Sequence, residues 1–444
     1  ADQVRRIEIF DAEVEIDLLA PCDNLLMQKF ADIMVQHIAG LVAAAGLLLE
    51  QVLARAFGDD DHRVLAFAQP AFQARQQRVF ALVQAERILG HQTVVHMGVG
   101  QRRIGGDEAG IAPHHMDQAD AVRRATVADP TVVTWQIDRN VNITNVCISG
   151  CKFCNFHCKP HDTQRAFVTS REEYREKIAQ TLALGGDQLL LQGGLHPQLG
   201  IDFYEELFRD LKRMFPRIRL HALGAPEVAH IARISGLTTL ETLRRLMAAG
   251  LDSLPGAGAE ILDPDVRRAI SPAKPSVASW LAVMHEAHTL GLATSATMMY
   301  GHVEQPRQRV DHLLAIRDLQ ARCPEGKPGF LAFIPWIFRS SGTELERQGV
   351  ATRFSPLEYI RIIAVSRLVL NNIRNIQASW LTVGKATAQV ALHSGANDMG
   401  SIMIEENVVS SAGAHNQFDA AGIQQAIREA GFTPRLRDQL YRMR

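Results

Sequence analysis

The run Val141-Asn-Ile-Thr-Asn-Val146 leads directly into Cys147-Ile-Ser-Gly-Cys151-Lys-Phe-Cys154, a C-x3-C-x2-C spacing. A short β-prone run followed at once by a cysteine loop reads as a strand that presents the loop at its C-terminal end. Outward from this point, short apolar runs alternate with longer stretches of helical period from Trp135 onward. That is the pattern of parallel strands feeding crossover helices. Strands are expected at residues 141–146, 188–191, 218–222, 253–254, 294–299, 330–334, 375–377 and 397–400. Helices are expected at 171–184, 203–214, 240–249, 277–290, 307–320, 356–371 and 387–392, with a closing helix at 420–430. Eight such units predict an α/β chain folded as a (β/α)8 TIM-type or partial barrel, whose active site would lie at the strand C-termini. A doubly wound open sheet is the rival.

Four of the six cysteines, Cys147, Cys151, Cys154 and Cys158, fall within twelve positions, which suggests a metal centre rather than disulfide bridges. Three thiolates on one loop can each hold one iron of a [4Fe-4S] cluster, because soft sulfur ligands suit iron–sulfur chemistry. The fourth iron is then open to chelate the amino and carboxylate groups of S-adenosyl-L-methionine, whose sulfonium an added electron would cleave. The alternatives are inert thiols and a zinc site completed by His157 and Cys158. A fourth thiolate would block the open iron, so Cys158 reads as a bystander, and Cys22 and Cys323 as ordinary small apolar residues. One βα unit further on, Gln192-Gly193-Gly194 ends a strand where glycines would let backbone approach a ligand closely.

Polar residues recur near other expected strand ends: His221, Glu227, His230, Glu260, His302, Glu304, Asn397, Asp398, Glu405 and Glu406. At that face of a barrel they are candidates for substrate binding and proton transfer, and each has a structural reading beside the functional one. The chain is 444 residues with 47% hydrophobic and 21% charged content, which excludes disorder as its main state. Lys plus Arg number 47 against 48 Asp plus Glu, so no overall field would gather nucleic acid or an anionic membrane. Residues 38–49 form an apolar stretch too short to span a bilayer, and early acidic residues interrupt any secretory signal, so a cytoplasmic protein is expected. Residues 1–115 carry one lysine, Lys29, and no catalytic spacing. Helical periodicity over 72–89 suggests a helical N-terminal extension of unknown role; a misassigned gene start is the other reading. Residues 116–444 are expected to form the barrel and its closing helices.

The quoted cysteine loop, together with Trp135-Gln-Ile-Asp-Arg-Asn140, Leu191-Gln-Gly-Gly-Leu-His-Pro197, Pro255-Gly-Ala-Gly-Ala-Glu-Ile261 and Ile404-Glu-Glu-Asn-Val-Val-Ser-Ser-Ala-Gly413, resembles the radical S-adenosylmethionine enzymes of the menaquinone and deazaflavin branch. The likeness runs from about Asp120 to Arg444. The tail and Gln377-Ala-Ser-Trp380 look more like the menaquinone-pathway cyclases than their sisters, the aminofutalosine synthases and the tyrosine-using FO synthases. The resemblance implies that Cys147, Cys151 and Cys154 bind the cluster, that Phe153 lends backbone to the adenine, and that Gln192, Gly193 and Gly194 hold the methionine end. It implies dehypoxanthine futalosine as the small-molecule substrate, which would lose its ribose C4′ hydrogen and close onto its own benzoate ring. Flavodoxin or ferredoxin would be the reductant. The ring proton needs an acceptor, for which His302 or Glu304 is expected, with His230 and Glu227 in reserve; Arg139, Arg339 or Lys385 would meet the substrate carboxylate. A reading of another class is an iron–sulfur electron carrier, which would ordinarily use four cysteines and a small domain.

Overall fold

Between Val132 and Asn142 the sequence alternates, with Val133, Trp135, Ile137 and Val141 at odd positions and Gln136, Asp138, Asn140 and Asn142 at even ones. In a strand, alternate residues face opposite sides. The computed structural model, which describes residues 5–9, 12–16, 111–414 and 416–444, turns the odd set outward under the helices and the even set inward. Near the start of the chain, β1 (Arg5–Ile9) and β2 (Ala12–Ile16) form an antiparallel pair by themselves, so this part of the expected helical extension is β. Strand β3 (Val132–Gln136) continues after Ile137 into β4 (Asp138–Asn142). Parallel to β4 follow β5 (Gln188–Gln192), β6 (Arg219–Ala222), β7 (Ser253–Leu254), β8 (Ala293–Tyr300), β9 (Phe330–Ile337) and β10 (Asn375–Ile376), in that spatial order.

The seven-stranded sheet curls into a partial barrel. Its open edge is bridged where Asn397 N donates to Ile376 O at 3.0 Å and Ala378 N to Asp398 O at 2.8 Å. These bonds join β10 to β11 (Asp398–Ser401), which pairs parallel with β3. Hydrogen bonding thereby returns to the strand that began the circuit, as the barrel expectation requires. An additional strand, β12 (Thr433–Leu436), lies parallel along the other edge of β3. Sequence reading missed β3 and β12, and it set the first strand at 141–146 where the regular ladder covers 138–142. The stretch beyond it is instead held by single bridges, Thr144 to Val168 and Val146 to Cys158.

In the described residues, helices cover the strands over the eight stretches where periodicity predicts them, and five more, over 111–126, 225–235, 264–270, 344–347 and 380–383, were not expected. Among them are α1 (Ile111–Thr126), α2 (Arg171–Ala183), α3 (Ile201–Met214), α4 (Ala225–Ser235), α5 (Thr239–Ala249), α6 (Pro264–Ile270), α7 (Val277–Leu290) and α8 (Pro306–Ala321). Then come α9 (Glu344–Arg347), α10 (Pro356–Val369), α11 (Trp380–Val383), α12 (Lys385–Leu392) and α13 (Ala420–Glu429). Local chemistry sets their starts: Ser170 with Glu173 and Thr238 with Glu241 form capping boxes on α2 and α5. Gly291, left-handed at φ 83°, stops α7. Helix α1 crosses residues 115 and 116 and packs against α10. The helix expected over 72–89 lies outside the described residues. Among those described, no helix is long and apolar enough to cross a membrane.

Candidate active site

At the C-terminal ends of the strands the barrel opens into a cavity of about 410 Å³. Cys147, Cys151 and Cys154 all line it, and none is in a disulfide. The Ser149 hydroxyl sits between two of the sulfurs, 2.9 Å from Cys147 Sγ and 3.3 Å from Cys151 Sγ. Two backbone groups, Ser149 N–H at 3.4 Å and Leu195 N–H at 3.3 Å, donate to Cys147 Sγ. Donors of this kind stabilise a ligating thiolate. Burial pushes the Cys151 thiol up to about 11, against the pull of Lys274. Among the described residues no three His, Cys, Asp or Glu converge tightly enough to hold a single metal ion. Cys158 does not line the cavity: it is buried, its N–H donating to Asn145 O and its carbonyl accepting from Cys147 N.

Loop and strand end are locked together by glycine. A Cβ on Gly194 would lie 2.1 Å from Val146 O, so only glycine allows this strand end to pass under the cysteine loop. Gly194 N donates to Thr144 O at 2.8 Å. Of the carbonyls here, Gln192 O accepts from Ile143 N and Gly194 O from His196 N, and Gly193 lines the cavity. Gly193 N donates to Glu227 Oε1 at 2.9 Å, and Gly224 N to Glu227 Oε2 at 2.5 Å. Burial raises the Glu227 carboxyl to about 7 in spite of those donors. Phe153 lines the cavity beneath Lys274, whose Nζ lies 5.2 Å from the ring centroid and donates to Glu260 Oε1 at 2.5 Å. Burial opposes the Lys274 charge, but Cys151 and Glu260 outweigh it and raise its pKa.

Of the four expected proton acceptors only Glu227 lines the cavity. His302 and Glu304 do not reach it, contrary to expectation. They fold back within the turn after β8, where Glu304 accepts from Gly301 N, His302 N and Arg309 Nε. Burial works against the Glu304 charge, and His302 with Arg309 overcomes it and holds the carboxyl at about 2. His230 is turned away, with Nε2 2.8 Å from His196 O and Nδ1 3.1 Å from Arg233 Nη2. The three cations expected to meet a carboxylate are also elsewhere: Arg139 pairs with Glu405, Lys385 with Glu429, and Arg339 covers Phe354. Lys274 and Arg437 are the cationic residues that line the cavity. Asn397 and Asp398 hold strands together through Arg367 and Arg437, whereas His221, Glu260 and Glu406 do line the cavity. Gln136, Asp138 and Asn140 line it as well, without having been expected there. The signal that marks them is polarity at every second position of a strand.

A three-thiol loop at the mouth of a parallel barrel, with glycine-lined ligand space beside it, is the site of an enzyme that pairs a cluster with S-adenosylmethionine. Residues 141–316 match the Radical SAM superfamily and residues 327–444 the CofH/MqnC C-terminal region. The chain is 46% identical over 324 residues to the cyclic dehypoxanthine futalosine synthase of Streptomyces coelicolor, covering 73% of this chain and 79% of that one. It is 38% identical over 326 residues to the 5-amino-6-(D-ribitylamino)uracil–L-tyrosine 4-hydroxyphenyl transferase of Archaeoglobus fulgidus, covering 73% and 91%. Among solved structures it resembles methylornithine synthase PylB, at TM-score 0.56 and 19% identity over 74% of this chain and 90% of that one. It also resembles the hydrogenase maturase HydG of Carboxydothermus hydrogenoformans, at TM-score 0.59 and 15% identity over 92% and 86%. The chain belongs to the radical SAM superfamily, in the branch that contains the futalosine cyclases and the FO-synthase-type transferases. Members of the superfamily use a [4Fe-4S] cluster and S-adenosylmethionine, and the loop of Cys147, Cys151 and Cys154 fits that cluster. The bare electron-carrier reading falls with this membership.

Proposed function

We propose that this enzyme converts dehypoxanthine futalosine to its cyclic form in menaquinone biosynthesis. The observation that carries this is the 46% identity to the Streptomyces cyclase over four fifths of that protein. When bound, the cluster and S-adenosylmethionine supply a 5′-deoxyadenosyl radical by reductive cleavage of the sulfonium. The chain's own residues then have defined tasks. Cys147, Cys151 and Cys154 would hold three irons, and Gly193 O would accept from the methionine ammonium, with Glu227 fixing that peptide by its bond to Gly193 N. Phe153 backbone would meet the adenine. Across the reaction the substrate loses its C4′ hydrogen, joins that carbon to its benzoate ring, and gives up one electron and one proton. Holding both carbons in contact inside the cavity supplies much of the rate, because intramolecular addition depends on orientation.

Glu227, with its carboxyl raised to about 7 and on the cavity wall, is the proton acceptor retained from the four candidates. Glu227→Gln, which also loosens the Gly193 peptide, should lower the ratio of product to 5′-deoxyadenosine by about 10²-fold or more; an undiminished ratio would remove it from this role. Flavodoxin or ferredoxin is the proposed electron donor. The deciding experiment is anaerobic: reconstituted enzyme, dithionite, S-adenosylmethionine and dehypoxanthine futalosine, with products followed by mass. A product two hydrogens lighter, with 5′-deoxyadenosine in proportion, supports the cyclase. If the substrate is untouched and 5-amino-6-(D-ribitylamino)uracil with tyrosine reacts instead, the transferase reading replaces it.

A further inference from the structure

The lower wall of the cavity differs from its rim. Gln136, Asp138 and Asn140 project inward at every second position of β3 and β4, and Gln188 does so from β5 beside them. All four side chains are more than nine-tenths buried. Each keeps one polar atom that no group of the protein satisfies: Gln136 Nε2, Asp138 Oδ1, Asn140 Oδ1 and Gln188 Oε1. The two glutamines are oriented by their other ends, since Arg437 donates to Gln136 Oε1 and Gln188 Nε2 donates to Asp138 Oδ2. Leaving a buried polar group unpaired is costly. Four of them side by side along a cavity wall mark a place shaped for a polar guest.

The kind of atom left unpaired selects the guest. Three are acceptors and one is a donor, and the neighbouring cation, Arg437, is already held by both oxygens of Asp398. A carboxylate or phosphate would set acceptors against acceptors. Hydroxyls both donate and accept, and fit the set. We infer that this lower wall is a polyol subsite that takes the hydroxyls of the substrate's sugar-derived part and turns its acidic aryl end away. The inference rests on the branch assigned above but not on the choice within it, because dehypoxanthine futalosine carries a ribosyl group and the uracil substrate a ribityl chain.

The test is calorimetric binding of dehypoxanthine futalosine to anaerobic holoenzyme, comparing wild type with Asn140→Leu and Gln188→Met. The S-adenosylmethionine-induced change in the cluster's electron paramagnetic resonance spectrum serves as a second readout. Asn140→Leu removes one hydrogen bond to a substrate hydroxyl and Gln188→Met removes one while also freeing Asp138 Oδ2, so each should bind about tenfold more weakly or worse with that spectral change intact. Unchanged affinity in both variants overturns the subsite, and so does parallel loss of the spectral response, which would mean a merely structural role. If the wild type does not bind dehypoxanthine futalosine, the cyclase reading fails, and the same comparison is made with 5-amino-6-(D-ribitylamino)uracil. Weaker binding of that ligand by the variants then supports the subsite; equal binding, or none by wild type, refutes it.

Discussion

Glu304 illustrates how the same residue type at a strand end can serve binding or architecture. Its carboxylate takes two backbone N–H groups and the Arg309 guanidinium, and Arg309 in turn pairs with Glu358 on α10. Glu304→Gln should therefore lower stability by about 3–5 kcal/mol, the cost of leaving a buried partner unpaired. The surviving folded enzyme should keep its ratio of product to 5′-deoxyadenosine; a changed ratio would return Glu304 to the chemistry. The cysteine triad was legible in the sequence because spacing alone restricts what three thiols can do. The placing of Glu304 was not, because a polar residue after a strand gives no sign of whether it turns inward or back into its own turn. Gly194 lies between these cases: Gly-Gly suggested a close approach, but what approaches is the Val146 carbonyl of the cysteine loop, which no local pattern reveals.

Eight of the described helices were legible from their 3.6-residue period, and α7 runs over the residues expected, whereas α1, α4, α6, α9 and α11 were not foreseen. What the period could not show is how two of them grip the barrel through buried, uncharged histidines. His288 on α7 places Nε2 2.8 Å from Thr294 Oγ1 of β8, and His312 on α8 accepts at Nδ1 from Leu262 N at 3.0 Å. Burial lowers them to about 4 and about 3. A base whose folded pKa is depressed adds stability above its unfolded pKa, near 6.5, and that stability is lost as pH falls toward the folded value. Thermal denaturation at a series of pH values should show stability falling below pH 6.5, by about 1.4 kcal/mol per unit for each histidine. His312→Gln should remove one proton's share of that slope, and an unaltered slope would contradict the assignment. The strands were harder to read: β7 was foreseen over its two residues, but β3 hides its strand character behind an inward polar face.

At the scale of the whole molecule, a buried ion pair between Arg437 and Asp398, 39 positions apart, is tied to β3 by side chains hundreds of positions away. Arg437 bonds Asp398 of β11 through two nitrogens at 2.7 and 3.0 Å, and Asp398 Oδ2 also accepts from Thr134 of β3. Both charged side chains are almost wholly buried. Arg437→Met should cost about 3–5 kcal/mol in chemical denaturation by stranding the Asp398 charge. Adding Asp398→Asn should recover part of the loss; additive penalties would show that the two do not act as a pair. Asp398 stands out in the sequence as a candidate for the chemistry, but its part in this seam was not legible, because the β3 members Thr134 and Gln136 lie 264 and 301 positions from their partners.

The same seam sets the order of events during synthesis. Strand β3 emerges from the ribosome early, yet its neighbours β11 and β12 are made about 260 and 300 positions later. Until they arrive, β3 lacks both of its ladder partners. Contacts of such long sequence separation form late. Chains stalled on the ribosome before β11 should remain protease-sensitive through β3, and protection there should appear only with the full-length product. The site is thus finished from its floor last, by residues that touch no cysteine.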